Sequence, residues 1–218
     1  RPPRSTLSSS SAASDVYKRQ NQADKKLFSQ FRKHKTFVAA STHNTEELFA
    51  AKTHILLKKK IKNIITIIIP RHINRIDQII SQINELGLNA ISRRSNKKKL
   101  DNIDIYLVDT FGESKKFYKF ATTVFLGGSI IKRGGQNPLE PARFGAKILH
   151  GPNIDNFRDV YKYLNQLKIS SSINTPQQCA NSIIFKKNTK KAKKMKYLGT
   201  TILKKTLNEL DKSIHNEI

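Results

Sequence analysis

Short, almost continuously apolar runs alternate with amphipathic stretches along most of this chain, from Thr36 onward. Strands that are covered on both faces have such runs, because neither face meets water. Strands that alternate with helices indicate βαβ units, so the pattern predicts an α/β fold with a doubly wound parallel sheet. The candidate strands are FVAAS (37–41), IITIII (64–69), LNAIS (88–92), DIYLVD (104–109), TVFLGG (123–128) and AKILHG (146–151).

The stretch 74–87 is the clearest helix between two of these strands. One apolar face recurs there at helical spacing, formed by Ile76, Ile79, Ile80, Ile83 and Leu86. Asn74 is expected to cap its start and Gly87 to end it. Further helices are predicted after Thr42, at 113–122 and at 156–167. From about Gln178, leucines and isoleucines at helical spacing predict a long C-terminal helix with a basic face.

The charge balance is strongly basic, with 41 Lys and Arg against 16 Asp and Glu and a formal net charge of +25. Such a charge suits nucleic acid, an anionic membrane surface or a phosphorylated substrate. The chain is also rich in Asn and Ile, a bias that an AT-rich coding sequence imposes together with Lys on any protein. We therefore interpret the lysine-dense segment 186–196 as a solvated helix face rather than a lipid-binding patch.

The cysteine content, the lengths of the apolar runs and the composition of the first twenty residues further limit the class of protein. Cys179 is the only cysteine, which excludes an internal disulfide and a cysteine-cluster zinc site and fits a reducing compartment. No window approaches the ~18 to 20 apolar residues of a membrane span. Residues 1–20 are Ser-rich and lack apolar periodicity, so we expect a disordered, adaptor-derived segment, with a genuine disordered tail as the alternative. Residues 21–218 are predicted to form one domain with the C-terminal helix.

Four loops follow predicted strands and are therefore expected at one edge of the sheet. Ligands of doubly wound sheets bind beyond the carboxyl ends of the strands, so this edge is the predicted site. Glycine pairs in the last of these loops allow the backbone to turn sharply and to approach a ligand closely. The loops are STHNTEE (41–47), PRH (70–72), DTFGE (109–113) and GGSIIKRGGQNPLE (127–140).

The segment Asn137, Pro138, Leu139 and Glu140 has two interpretations. Asn137 fits the N-cap of a helix, Pro138 the first helical position and Glu140 the third, which together make a capping box. The alternative is that the helix start faces an anion while the Glu140 carboxylate accepts hydrogen bonds from sugar hydroxyls. Taken alone, the cap is the better interpretation.

The other loops carry single candidates. Arg71 follows a strand and can make forked contacts to a phosphate or carboxylate, with a surface salt bridge as the alternative. Phe111 can stack on a base or fill the core, and Gly112 and Glu113 suit a helix start. His43 and His72 lack a third ligand, so no metal site is predicted. The sequence has no P-loop, no nucleophile elbow and no Asp-x-Asp pair.

These segments resemble the C-terminal half of the bacterial 3-deoxy-D-manno-octulosonic acid (Kdo) transferase family. The likeness spans about residues 36–210 in unbroken order and is most specific from Gly127 to Asp159. Thr45 stands where a glycine is expected in the family, which affects only the shape of that loop.

The resemblance implies the C-terminal donor-binding domain of a GT-B glycosyltransferase, in which two Rossmann-like domains face each other across a cleft. That family transfers Kdo from the donor CMP-Kdo to the lipid A precursor at the cytoplasmic face of the inner membrane, during lipopolysaccharide synthesis. An anionic membrane surface is a further candidate partner, and neither a cofactor nor nucleic acid is expected. By this likeness, the residues expected to contact CMP are Pro70, Arg71, Phe111, Gly112, Glu113, Asn137, Pro138, Leu139 and Glu140. Those expected to close around the phosphate or the Kdo carboxylate are Gly127, Gly128, Ser129, Lys132, Arg133, Gly134 and Gly135.

The implied chemistry needs positive charge aimed at the departing phosphate and a base for the acceptor hydroxyl. Arg71, the helix start and Lys132 or Arg133 are expected to supply the charge. By the same likeness the base is a carboxylate of the N-terminal acceptor domain, which also carries the membrane anchor, so we expect no catalytic residue and no transfer activity in this chain alone. The alternatives are a GT-B enzyme that uses a UDP-sugar, such as an epimerase, and a basic nucleic-acid-binding module. Lysines without interleaved aromatic residues argue against the module.

Overall fold

The apolar runs become the strands of one parallel sheet. The structure, a computed structural model, describes residues 24–95 and 99–186 together with Lys193 and Tyr197. The predictions for residues 1–20 and, apart from Lys193 and Tyr197, for the chain beyond residue 186 therefore lie outside the described residues. The seven strands within the described residues are β1 (Lys35–Thr42), β2 (Ile64–Pro70), β3 (Ala90–Ser92), β4 (Ile105–Leu107), β5 (Thr123–Leu126), β6 (Lys147–His150) and β7 (Ser170–Ser172).

The strand order is β3-β4-β2-β1-β5-β6-β7, with every neighbouring pair parallel. The first four strands of the chain therefore form one half of the sheet, with β4 between β2 and the edge strand β3, and β5, β6 and β7 follow in order on the other side of β1. The six predicted strands are confirmed. Strand β7 was not predicted, because its three serines at the sheet edge carry no apolar signal.

Helices cover both faces of the sheet. Residues 24–31 are helical and are called α1. The remaining helices are α2 (Glu46–Lys58), α3 (Ile76–Glu85), α4 (Ser114–Tyr118), α5 (Leu139–Arg143), α6 (Arg158–Gln166) and α7 (Pro176–Ser182), with 3-10 turns at Ile73–Arg75 and Asp155–Phe157. The predicted helices after Thr42, at 113–122 and at 156–167 are confirmed as α2, α4 and α6.

Two details of the predicted helices are wrong. Asn74 lies inside the 3-10 turn Ile73–Arg75, so Arg75 and not Asn74 occupies the N-cap position of α3. The long C-terminal helix does not run on from Gln178, since α7 ends at Ser182 and Ile183 has an extended backbone. Gly87 follows the end of α3 with a positive φ of 75°, as predicted.

Alternate residues of the strands point into two separate cores. Val38 of β1 packs with α1, α4, α5 and α6 on one face, whereas Phe37 packs with α2, α3 and α7 on the other. All seven residues of β2 are buried, which explains its continuous apolar run. Cys179 lies in the second core, and burial raises the pKa of its thiol to about 12. None of the helices in the described residues has the length and apolar character that spanning a bilayer requires.

Candidate functional site

The order of the strands creates a crevice at the carboxyl ends of β1 and β5. These strands are neighbours in the sheet, but the chain leaves them toward opposite halves, and such a switch point is where doubly wound sheets bind ligands. Gly127 N donates to Ala40 O at 2.9 Å, and Arg71 N donates to Thr42 O at 2.8 Å. Three of the four predicted loops are therefore tied together directly at this edge.

Glu46, the first residue of α2, binds the backbone of two of the loops at the crevice. Its side chain is fully buried, and both carboxylate oxygens accept two backbone N–H groups each. Oε2 accepts from Gly128 at 2.7 Å and from His43 at 3.0 Å. Oε1 accepts from Ile130 at 3.0 Å and from Ser129 at 3.1 Å. One carboxylate thus holds the loop after β1 against the loop after β5.

The first part of the glycine-rich loop is packed too tightly to accept side chains. A Cβ on Gly127 would lie 2.5 Å from Ser41 O and 2.7 Å from Glu46 Oε2. The hydroxyl of Ser129 donates to Leu126 O and accepts from Gly151 N. The polar groups of Gly128 and Ser129 that were predicted to face a ligand therefore already have partners inside the protein.

The second part of the loop is a turn whose side chains reach solvent. Gly134 and Gly135 have positive φ angles of 78° and 76°, and Gly135 N donates to Gly128 O at 2.8 Å. Lys132 and Arg133 are exposed at this turn. The amides of residues 128–130 already donate to Glu46, whereas these two side chains have no partner among the described residues and can meet an anion.

Further basic side chains follow β1 and β2 at this edge. The rings of His43 and His72 are 5.5 Å apart between centroids in an edge-to-face arrangement. Burial lowers the pKa of His43, Glu46 opposes this effect, and the positive charges of His72, Arg133 and Arg71 lower the pKa further. Arg71 is exposed, and among the described residues no carboxylate pairs with it.

His43 and His72 belong to no larger cluster of metal-ligating side chains among the described residues. Within residues 24–95 and 99–186, no group of three or more His, Cys, Asp or Glu side chains is placed to hold a metal ion.

The loop after β4 has an exposed aromatic ring beside a buried carboxylate that forms ion pairs. Phe111 is 77% exposed, and Gly112 beside it has a positive φ of 72°. Glu113 is buried, where it accepts from Arg93 and from Lys116 Nζ at 2.7 Å. Its burial opposes ionisation, but these cations and the Thr110 hydroxyl outweigh it and lower the pKa of Glu113 to about 2. The Glu113 carboxylate therefore anchors the loop, while the Phe111 ring remains open to a ligand.

The segment 137–140 lies beside this loop. Asn137 Oδ1 accepts from Leu139 N at 3.0 Å, as a cap does, but α5 begins at Leu139, so Pro138 is not the first helical residue as predicted. Glu140 does not complete the predicted capping box; its carboxylate forms an ion pair of 3.4 Å with Lys115 of α4, and both side chains are exposed to solvent. The ion pair brings the Phe111 loop and the Glu140 segment together.

Two functional features were missed by the sequence reasoning. Glu46 lay within the quoted STHNTEE loop, but nothing distinguished it from Glu47 until the fold brought residues 128–130 over it. Arg93 follows β3, which pairs with β4, the strand that precedes the Phe111 loop, and Arg93 ion-pairs with both Glu113 and Asp24 of α1. In the sequence, only its position directly after the predicted strand LNAIS (88–92) could have indicated a role for Arg93.

The chain is similar in sequence to curated bacterial transferases, although no protein-family model matches it. It is 34% identical over 170 residues to the 3-deoxy-D-manno-octulosonic acid transferase of Rickettsia prowazekii, covering 78% of this chain and 37% of that protein. The Haemophilus influenzae enzyme of the same name is 28% identical over 158 residues, 71% of this chain and 37% of that protein. A bifunctional glycosyltransferase/methyltransferase of Fusobacterium nucleatum is 31% identical over 160 residues, 72% of this chain and 24% of that protein. The chain thus spans little more than a third of the first two of these proteins and about a quarter of the third.

A solved structure shares the fold. The C-terminal CMP-Kdo binding domain of WaaA from Acinetobacter baumannii superposes with a TM-score of 0.63 at 23% sequence identity, covering 73% of this chain and 86% of that domain. The predicted fold class, a Rossmann-like α/β fold with a doubly wound parallel sheet, is confirmed by this likeness and by the parallel strand order.

Proposed function

Because this chain belongs to the Kdo transferase family, we propose that it is the donor-binding part of a glycosyltransferase that takes CMP-Kdo as its donor. One observation carries the proposal. The strand order gathers Arg71, Phe111 and Glu140, which come from separate loops, at one edge of the sheet, and each of the three side chains reaches solvent there.

Each of these residues suits a different part of the donor. The exposed ring of Phe111 offers a stacking surface for the cytosine base, while Gly112 lets the backbone come close. Arg71 offers a forked pair of donors to the phosphate, with Lys132 and Arg133 as further cations. Glu140 accepts hydrogen bonds from ribose hydroxyls once a ligand competes with its solvent-exposed partner Lys115.

The same charges serve the transfer step. When the bond between Kdo and the CMP phosphate oxygen breaks, the electron pair stays on that oxygen and negative charge grows there. Cations fixed before the reaction stabilise this charge without reorganising. Arg71 is held in place by the bond from its backbone N–H to Thr42 O, so its guanidinium starts from a rigid strand end.

The acceptor half of the reaction is assigned to a part of the enzyme other than the described residues. The buried carboxylates at this edge are engaged, with Glu46 on backbone amides, Glu47 on Arg75, Asp109 on the backbone N–H of Arg94 and Glu113 on Arg93. We infer that none of these four takes the proton of an acceptor hydroxyl. We therefore assign the base and the binding of the lipid A precursor to the rest of such an enzyme, acting at the cytoplasmic face of the inner membrane with its anionic lipids. Transfer of Kdo to a lipid A precursor by this polypeptide alone would contradict this assignment.

Calorimetric titration of the 218-residue chain with CMP, and with UMP as the control ligand, tests the donor site. We expect saturable binding of CMP in preference to UMP, because a site for CMP-Kdo must distinguish the base. Arg71→Ala and Glu140→Ala are each expected to weaken CMP binding about tenfold or more, since each removes a charged hydrogen-bonding group from the ligand.

Matched variants control for nonspecific effects of charge. Arg32→Ala removes an exposed arginine that lies before β1, at the amino ends of the strands, and Glu85→Ala removes an exposed glutamate at the end of α3. Both are expected to leave CMP binding unchanged. Equal binding of CMP and UMP, or equal losses in the site and control variants, would contradict the proposal, and tighter UMP binding would favour an enzyme for UDP-sugars.

A further inference from the structure

The loop after β5 contains a complete anion-binding site that the protein itself fills. Three successive backbone N–H groups, of Gly128, Ser129 and Ile130, converge on the carboxylate of Glu46 at distances of 2.7 to 3.1 Å. Successive amides arranged in this way form a nest, a concavity that proteins commonly use to hold phosphate. A buried carboxylate occupies the nest here, and the N–H of His43 completes its set of four donors.

We propose that Glu46 is a specificity-determining residue, whose carboxylate fills the amide nest of residues 128–130 so that the site accepts nucleotides with one phosphate and rejects those with two. The inference rests on the proposed donor site and adds the reason for its choice of ligand. A single phosphate is served by the cationic side chains of Arg71, Lys132 and Arg133. A second phosphate, bound in the crevice, would meet amides that already donate to the Glu46 carboxylate.

The packing around Glu46 keeps its carboxylate in the nest, so a ligand cannot easily replace it. Glu46 has no exposed surface, and a carboxylate, which only accepts hydrogen bonds, satisfies all four N–H groups. A Cβ on Gly127 would already lie 2.7 Å from Glu46 Oε2, so the loop cannot settle closer. Gly135 N also donates to Gly128 O, which ties the exposed turn to the nest. An approaching second phosphate would therefore meet a fixed negative charge that repels it.

The first test compares ligands on the unmodified chain. Calorimetric titration with CMP and with CDP, which differ by one phosphate, is expected to show CDP binding about tenfold more weakly or worse. Binding of CDP as tight as CMP would overturn the inference while leaving the donor site in place. If neither nucleotide binds, the proposed donor site is wrong, and the specificity proposal falls with it.

The second test empties the nest. Glu46→Ala is expected to lower the melting temperature in anion-free buffer and to recover part of the loss in acetate or inorganic phosphate, because these anions can occupy the vacated amides. The preference for CMP over CDP is expected to shrink at least about threefold in the variant. Glu47→Ala is the matched control, since Glu47 is also buried at the start of α2 but pairs with Arg75 and not with the loop.

Glu46→Gln covers the case in which Glu46→Ala does not fold, because it keeps the side-chain shape and removes the charge. A reduced preference for CMP over CDP in this variant supports the inference. The inference is overturned if Glu46→Ala folds without gaining more stability from acetate or phosphate than Glu47→Ala gains. It is equally overturned if the ratio of CMP to CDP affinity is the same in Glu46→Gln as in the unmodified chain.

Discussion

Gly127 is the residue at which the two loops of the switch point come closest. Its N–H bonds to Ala40 O on β1, and the position of its absent Cβ lies 2.5 Å from Ser41 O and 2.6 Å from Thr42 Cα. Both of these neighbours are backbone atoms, which cannot turn aside as a flexible side chain can. The close approach of β1 and β5, and therefore the position of Glu46 under the amides, depends on the missing side chain.

We expect Gly127→Ala to lower the free energy of unfolding by about 2 to 3 kcal/mol, since overpacking against backbone forces a local shift. Gly87→Ala is the matched control, because Gly87 has a positive φ but open space around it, and should cost only roughly 1 to 2 kcal/mol. Urea denaturation measures both. A smaller loss in Gly127→Ala than in Gly87→Ala would show that the two loops can separate without cost.

Single residues show where sequence reasoning reaches its limit. The sequence left open whether Phe111 stacks on a base or fills the core. Its exposed ring shows that it does not belong to the core. Glu113 and Glu140 were predicted for the same role, yet the first is buried on Arg93 and the second is exposed. The difference comes from residues distant in the chain, so it could not be seen in the spacing of either motif.

At the scale of elements, a polar cluster joins α2 to the strands β2 and β4. His54 of α2 is fully buried, with Nδ1 2.9 Å from the Thr66 hydroxyl and Nε2 3.3 Å from Asp104 Oδ1. Lys58 Nζ lies 2.5 Å from the same carboxylate oxygen. Burial lowers the pKa of His54 despite the attraction of Asp104, and the charge of Lys58 acts in the same direction as burial.

This cluster predicts a pH dependence of stability. A histidine whose pKa is lower in the folded state takes up protons on unfolding, so its stabilising contribution is full above the ordinary pKa of 6.5 and is lost as the pH falls. We expect the free energy of unfolding to decrease from about pH 7.5 to about pH 5.5, and less so in His54→Gln. His43 and His150, whose pKa values are also lowered by burial, account for the slope that remains.

Urea denaturation at the two pH values provides the measurement. His34→Gln is the control, because His34 is only half-buried and its ring bonds to a nearby backbone carbonyl. An identical slope in His54→Gln and the unmodified chain would contradict the assignment of the pH dependence to this cluster.

Elements with a strong apolar period were predicted well. The isoleucine face of α3 is confirmed, with Ile76, Ile79 and Ile83 buried, and so are the six apolar strands. The failures concern elements that lack such a period. Strand β7 consists of three serines that pair with β6. Helix α7 ends at Ser182, and two residues later Ile184 O accepts hydrogen bonds from the hydroxyls of Thr122 and Thr123. Both depend on tertiary contacts that no local pattern encodes.

At the scale of the whole molecule, the net charge of +25 and the strand order point to different partners. Charge alone suits any polyanion, whereas the strand order places a small number of cations at one crevice. These two sources of affinity differ in their dependence on salt. A polyanion releases one set of counterions for each phosphate contacted, so its binding weakens steeply as salt rises.

We expect any association of the chain with an unrelated RNA to disappear between about 50 and 200 mM salt, with a loss of roughly 10³-fold or more if six or more phosphates are contacted. Binding of CMP, which brings a single phosphate, should weaken only about threefold over the same range. Calorimetry with CMP and fluorescence anisotropy with a labelled RNA measure the two slopes. RNA binding that persists at 200 mM salt while CMP fails to bind would favour the nucleic-acid-binding alternative. A steep slope for RNA beside a shallow one for CMP would assign the specific site to the crevice at β1 and β5 and the remaining charge to the solvated surface.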